Sequence, residues 1–246
     1  MFTNNSQKII EMSNIFIPVI LGTTREGRMS ELVARFVYEQ VEKWNGIETE
    51  LIDIRQLKFP TDDAGESIKD TKFSATCDRA DGFIIVVPEY NHSFPGLLKH
   101  VLDTNLKEYI HKAVGICGVS AGPFGGARVI QSLVPVMREL GLVTTFYDLN
   151  FGGVNNLFDD SGKLLEEQNY IRRFEKFMKE MVWMSTVLRY GRLEVCIDEN
   201  NQVVTMNHHA NKPCPEKAAR MEVEEVYTVM EVSTSQTSID IKVVSD

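Results

Sequence analysis

Between residues 15 and 188 short β-type runs alternate with stretches of helical periodicity, and that alternation leaves few folds open. The strand runs are 15–21, 47–54, 83–87, 113–119 and 142–147. After the first, apolar residues recur at helical spacing through Leu32, Val33, Phe36, Val37, Val41 and Trp44. The same spacing follows the third run from Leu97 to Tyr109, follows the fourth from Val129 to Leu140, and closes the region from Tyr170 to Met181. Gly141 stands where a helix C-terminus favours glycine. The weakest helical pattern lies around residues 67–81. A β-α-β-α rhythm implies parallel strands joined by right-handed crossovers, hence an α/β sheet with helices on both faces. Five strands suit a doubly wound sheet in the order 2-1-3-4-5. Pro18 lacks a ladder donor, so it is expected near the beginning of the first strand.

Composition narrows the partners. A net charge of −9 argues against nucleic acid, which is held on a basic face. The longest apolar runs, residues 15–21 and 83–87, fall far short of the roughly 20 residues that cross a bilayer. The first fourteen residues have neither an apolar signal core nor an Arg-rich pattern, so a poorly ordered segment and a cytoplasmic protein are expected. Cys77, Cys117, Cys196 and Cys214 lack metal spacing and read as reduced thiols. Beyond residue 190 the rhythm stops. Residues 191–246 hold five Lys/Arg against ten Asp/Glu, an acidic C-terminal extension with a hairpin expected around Glu199-Asn200-Asn201 and a short helix over 215–232. His208-His209 has no acidic or cysteine partner at metal spacing, so no metal site is expected.

In a parallel sheet every strand ends on one edge, where ligands gather at the switch in strand order. Three unusual loops follow strands one, three and four, which are neighbours in that order. "LGTTREGRMS" (residues 21–30) combines hydroxyls, two arginines and a helix start, the chemistry of a phosphate site, although it equally fits a helix capped at Ser30 with exposed arginines. It lacks the Gly-Lys-Ser/Thr ending of a P-loop. "VVPEYNHSFPG" (residues 86–96) sets polar groups and an aromatic directly after a buried strand, suiting a planar amphipathic ligand; the plainer reading is a turn with Glu89 in an ion pair. Lys99 and Asp103 sit at i,i+4 in the poorer orientation, which leaves room for a longer-range or intersubunit role. "GVSAGPFGGAR" (residues 118–128) has four glycines that permit close backbone approach, and it also matches the Gly-x-Ser-x-Gly elbow of serine hydrolases.

Taken together and in order, these three segments resemble the signatures of the NAD(P)H-dependent FMN reductase family, which includes quinone, chromate and azo-dye reductases. The likeness spans residues 15–188. It implies a flavodoxin-like domain over 15–190 that binds FMN non-covalently, uses NAD(P)H and assembles as a homodimer or homotetramer. Thr23, Arg25, Arg28, Met29 and Ser30 match the phosphate loop; Pro88, Glu89, Tyr90, Asn91 and Ser93 the segment along the isoalloxazine ring; Ser120, Gly122, Gly125, Gly126 and Arg128 the loop on its other side. Arg28 stands where relatives often carry serine, and His100 where asparagine is frequent, a difference expected to touch dimer packing. The implied chemistry is ping-pong transfer of two electrons to a quinone or similar small acceptor, without a catalytic side chain. Two alternatives remain open from the residues. A flavodoxin-like electron carrier would share the fold, but its phosphate loop typically lacks arginine. A serine hydrolase would need Ser120 with Asp148 or Asp160 and His208 or His209.

Overall fold

Pro18 divides the first strand instead of opening it. In the computed structural model, which describes residues 14–60, 62–197 and 202–205, β1 (Ile15–Phe16) pairs in parallel with β3 (Ile47–Glu48). After the proline, β2 (Val19–Leu21) pairs in parallel with β4 (Leu51–Asp53). The reason is the missing N–H. Ile17 and Val19 donate to Glu48 and Glu50 on either side of it, while Pro18 contributes only its carbonyl, which accepts from Ile84.

The main sheet runs β4-β2-β5-β6-β7, with β5 (Gly82–Pro88) and β6 (Ala113–Val119) in parallel register over seven pairs at its centre. This is the expected 2-1-3-4-5 order, and the domain is flavodoxin-like. The fifth strand differs from the expected continuous run. It splits into β7 (Val143–Thr144), beside the start of β6, and β8 (Leu149–Phe151), beside its end. Between them the backbone leaves the ladder at Thr145, whose hydroxyl donates to the Tyr147 carbonyl, and the Phe146 ring is thrown into solvent.

Alternate strand residues supply two separate cores. Val19, Leu21, Ile84 and Val86 pack against α1 (Ser30–Glu42) and α5 (Glu167–Glu194) through Val33, Val37, Phe174 and Phe177. Ile20, Phe83, Ile85 and Val87 face the other way, toward α2 (Thr71–Arg79), α3 (Gly96–Leu102) and α4 (Ala127–Glu139). Burial on both faces explains why the central strand reads as an unbroken apolar run.

Local chemistry sets the helix ends. The weak pattern at 67–81 becomes a helix only from Thr71, because the Asp70 carboxylate accepts the Phe73 N–H at 2.8 Å, a cap that contributes about 1 kcal/mol. Gly141 terminates α4 as expected: with φ +75 it lets its own N–H reach the Arg138 carbonyl, while Leu142 donates to Met137. Buried Lys112 caps the far end of α2, donating to the carbonyls of Cys77 and Asp78 at 2.7 and 2.6 Å.

The chain divides into two compact units between Arg189 and Tyr190. In the second, β9 (Val195–Ile197) and β10 (Val203–Thr205) form the expected antiparallel hairpin, with Val204 opposite Cys196. The N-terminal segment, the helix expected over 215–232 and the His208-His209 pair lie outside the described residues. No helix among the described residues is long and apolar enough to cross a membrane.

Candidate functional site

The three loops at the C-terminal edge are laced to one another. Thr23, buried in the loop after β2, has its hydroxyl 3.0 Å from that of Tyr90 in the loop after β5. Glu89, next to Tyr90, joins the loop after β6: its carboxylate accepts from Arg128 Nη1 at 3.1 Å and from the Arg128 backbone N–H at 3.3 Å. The Ser132 hydroxyl on α4 donates to the His92 carbonyl at 2.9 Å, tying the second loop to that helix as well. Glu89 is thus neutralised, and an exposed guanidinium is fixed at the rim.

In the first loop the groups divide by commitment. Arg25 is exposed, and no ion pair holds its guanidinium among the described residues. Arg28 is buried: one guanidinium nitrogen donates to the Thr23 carbonyl, another to the Asp53 carboxylate, and Nε lies 3.5 Å from Glu31. Two of the three Arg28 guanidinium nitrogens are thus committed inside the loop, while its buried Nε, like the Ser30 hydroxyl, has no hydrogen-bond partner among the described residues. Ser30 does not cap the helix. It is the first residue of α1, Met29 holds the cap position without a side-chain bond, and the buried Ser30 hydroxyl has no protein partner. A buried hydroxyl without a partner at a helix N-terminus, in a loop that also carries a free guanidinium, fits an anionic group such as a phosphate.

The second loop makes a two-residue turn. Tyr90 and Ser93 exchange backbone bonds at 2.8 and 2.9 Å, while Asn91 and His92 both take positive φ, 50° and 66°. That is a type I′ turn, whose two positive-φ positions favour glycine and asparagine and also admit histidine. It projects Asn91 into solvent and holds Tyr90 against Thr23. Pro88 ends the strand, and the following N–H, that of Glu89, donates to the Val119 carbonyl.

The third loop is held by glycine and by Ser120. The Ser120 hydroxyl donates to the Gly122 carbonyl at 2.9 Å and accepts the Gly126 N–H at 3.1 Å. Gly125 and Gly126 have φ of +59 and +76 and press on the ends of β8 and β6. Six residues separate Ser120 from α4, too many for a strand-to-helix elbow. Among the described residues no hydrogen bond joins Ser120 to Asp148, Asp160 or a histidine. Ser120 shapes the loop here.

Asp148 lies at the break between β7 and β8. Although the residue is exposed overall, partial loss of water around its carboxyl pushes its pKa up to about 6 from 3.8. A raised acid pKa costs stability once the group ionises: the penalty is absent well below pH 4, grows from about pH 4 to 6 and is complete above. Asp148→Asn should therefore melt progressively higher than the parent protein between those pH values, with a constant gap above pH 7. Equal melting temperatures across that range in circular dichroism scans would contradict this.

Lys99 pairs with Asp103 at i,i+4, Nζ to Oδ1 at 2.6 Å, the local pair the sequence offered. His100 bonds the Pro60 carbonyl at 2.8 Å and meets the Phe59 ring edge-on, so it has a partner within the chain.

The profile of NADPH-dependent FMN reductases matches residues 16–153, more than half of the 246 residues. The chain belongs to this family. It is similar to a quinone reductase of Pseudomonas putida, 29% identical over 186 residues that cover 68% of this chain and 97% of that protein. An FMN-dependent NADPH-azoreductase of Staphylococcus aureus is 28% identical over 181 residues, 67% of this chain and 92% of that protein. Among solved structures, the flavoenzyme NAD(P)H:(acceptor) oxidoreductase FerB of Paracoccus denitrificans shares the fold with a TM-score of 0.57 at 20% identity, covering 70% of this chain and 98% of its own. The matched residues 16–153 contain all three loops.

What the sequence did not single out is the support for the first loop. Asp53 and Arg55 hold it from the end of β4, one on Arg28 and the other on the Thr24 carbonyl. A position reading would have found Asp53: it is the last residue of the expected second strand but one, hence on the ligand edge beside strand one.

Proposed function

We propose that this FMN reductase family member binds FMN along the rim formed by its three loops, with residues 15–190 as the FMN-binding domain and 191–246 as an acidic extension. When bound, FMN supplies the two-electron redox chemistry, drawing on NAD(P)H and serving a quinone or similar small acceptor in a ping-pong cycle. The observation that carries the reading is the unspent pair in the first loop, the buried Ser30 hydroxyl and the exposed Arg25 guanidinium. Together with the Thr23 hydroxyl they would take the phosphate. The Pro88–Ser93 turn, with Tyr90 held by Thr23, would line the isoalloxazine ring, and residues 120–128 would cover its other side. The Glu89–Arg128 pair, 3.1 Å apart, would keep an unpaired carboxylate from facing negative charge on the ring. Backbone N–H groups near the ring would stabilise its negative charge without a side-chain acid or base. A quinone acceptor is supported by the name of the Pseudomonas putida relative, and a homodimer or homotetramer by the family resemblance.

The test is anaerobic mixing of the flavin-loaded full chain with NADPH. Bleaching of the flavin absorbance within seconds, and its return on adding a quinone, is the expected result. Bound flavin that bleaches only when a separate reductase protein is supplied would make the chain an electron carrier instead.

A further inference from the structure

We infer that Asp53 and Arg55 are positioning residues for the first loop, forming with Arg28 a strut that engages the carbonyls of Thr23 and Thr24 and so keeps them off the phosphate, leaving the loop's N–H groups to face it. The inference rests on the reading that this loop receives the phosphate of FMN. Asp53 ends β4 in register with Leu21, the last residue before the loop, so its carboxylate stands at the loop's root. One carboxylate oxygen binds the Arg28 guanidinium, and the other accepts the Arg55 backbone N–H at 3.0 Å. The two arginines then take consecutive carbonyls. Arg28 donates to Thr23, and Arg55 donates to Thr24 from Nε at 3.0 Å and Nη2 at 2.8 Å.

Each peptide unit is a dipole, so a carbonyl held on a cation at one side directs its positive end to the other. A loop that must face a dianion gains nothing from carbonyls free to rotate inward. The strut fixes two in succession, through two nitrogens of each guanidinium group. That also explains why Arg28 can stand where relatives often carry serine: it braces the loop and leaves direct contact to Arg25 and the hydroxyls.

The sign of the expected effect separates this from a simple charge argument. Asp53 is an anion near the phosphate loop, so by Coulomb's law alone its removal would strengthen phosphate binding. Loss of the strut predicts the reverse. FMN and riboflavin differ only in the phosphate, so their affinity ratio reads the loop and cancels general effects on the ring site. Fluorescence-quenching titration of the flavin-stripped full chain should show the parent protein preferring FMN. In Asp53→Asn, FMN affinity should fall by about tenfold or more with riboflavin affinity within about twofold, the loss expected for a disrupted charge-assisted network. Asp53→Glu, which keeps the carboxylate, should recover part of the loss. Arg55→Ala, an exposed change that spares the buried pair, should lower FMN affinity about three- to fivefold with riboflavin again unmoved. An FMN-to-riboflavin ratio unchanged or increased in Asp53→Asn and unchanged in Arg55→Ala overturns the strut while leaving the FMN reading intact. A parent protein without any preference for FMN overturns both.

Discussion

Arg25→Ala lowers the affinity for FMN by about ten- to hundredfold and leaves the melting temperature of the flavin-free protein unchanged. The two halves of this expectation have one cause. The Arg25 side chain is exposed and bonds to nothing among the described residues, so the folded chain loses no contact when it is cut back. Its value is realised only with a phosphate dianion present, where a guanidinium contributes a charge-assisted bond of about 1.5–3 kcal/mol. Arg28→Ala separates the roles. It would take the guanidinium from the half-buried Asp53 carboxylate, which keeps only the Arg55 N–H, and from the buried Thr23 carbonyl, so the flavin-free protein itself should melt lower. Salt provides an independent reading: FMN affinity of the parent protein should fall more steeply with ionic strength than that of Arg25→Ala. Isothermal titration and melting curves of the two variants check all of this. Were Arg25→Ala to bind FMN as the parent does, the phosphate would have to lie elsewhere.

The fold was legible because its evidence is periodic. Burial of β5 on both faces makes an unbroken apolar run, and the helices show one apolar face each, so order and parallel direction follow from alternation. The misjudged details are those governed by one residue acting over distance. Pro18 could have been placed mid-strand only by knowing that β1 and β2 pair with different halves of the neighbouring strand. The split between β7 and β8 depends on a Thr145 hydroxyl bond that no pattern announces.

The same distinction governs the site. Loops rich in glycine, hydroxyl and arginine stand out against an apolar background, and their adjacency follows from strand order. Which arginine faces outward does not. Arg25 and Arg28 are equivalent in composition, and their division is made by Asp53, a residue 25 positions further along that reads as an ordinary strand end. Glu89 was legible as an ion-pair partner, but naming Arg128 required the third loop to be in place.

Gly126→Ala should destabilise the protein by about 3–4 kcal/mol, which corresponds to a fall of roughly 10 °C in melting temperature for a chain of this size. Two costs combine. Gly126 has φ +76, a left-handed conformation that costs an alanine about 1–2 kcal/mol. The added Cβ would also lie 2.6 Å from the Val119 nitrogen and 2.7 Å from the Gly118 carbonyl carbon. Those are backbone atoms of β6, fixed by seven register pairs with β5, so they cannot yield as a side chain would, and the overpacking adds about 1–3 kcal/mol. The loop must move instead, which breaks the bond from the Gly126 N–H to Ser120 and shifts the start of α4, where Arg128 meets Glu89. FMN binding should weaken with it. Gly122→Ala is the internal control: it lies in the same loop without positive φ, and its added Cβ would meet nothing within 4 Å. It should stay within about 0.5 kcal/mol of the parent protein. Urea denaturation of the two variants decides the matter, because equal stability would mean that the loop is a mobile glycine stretch and not a closely packed one.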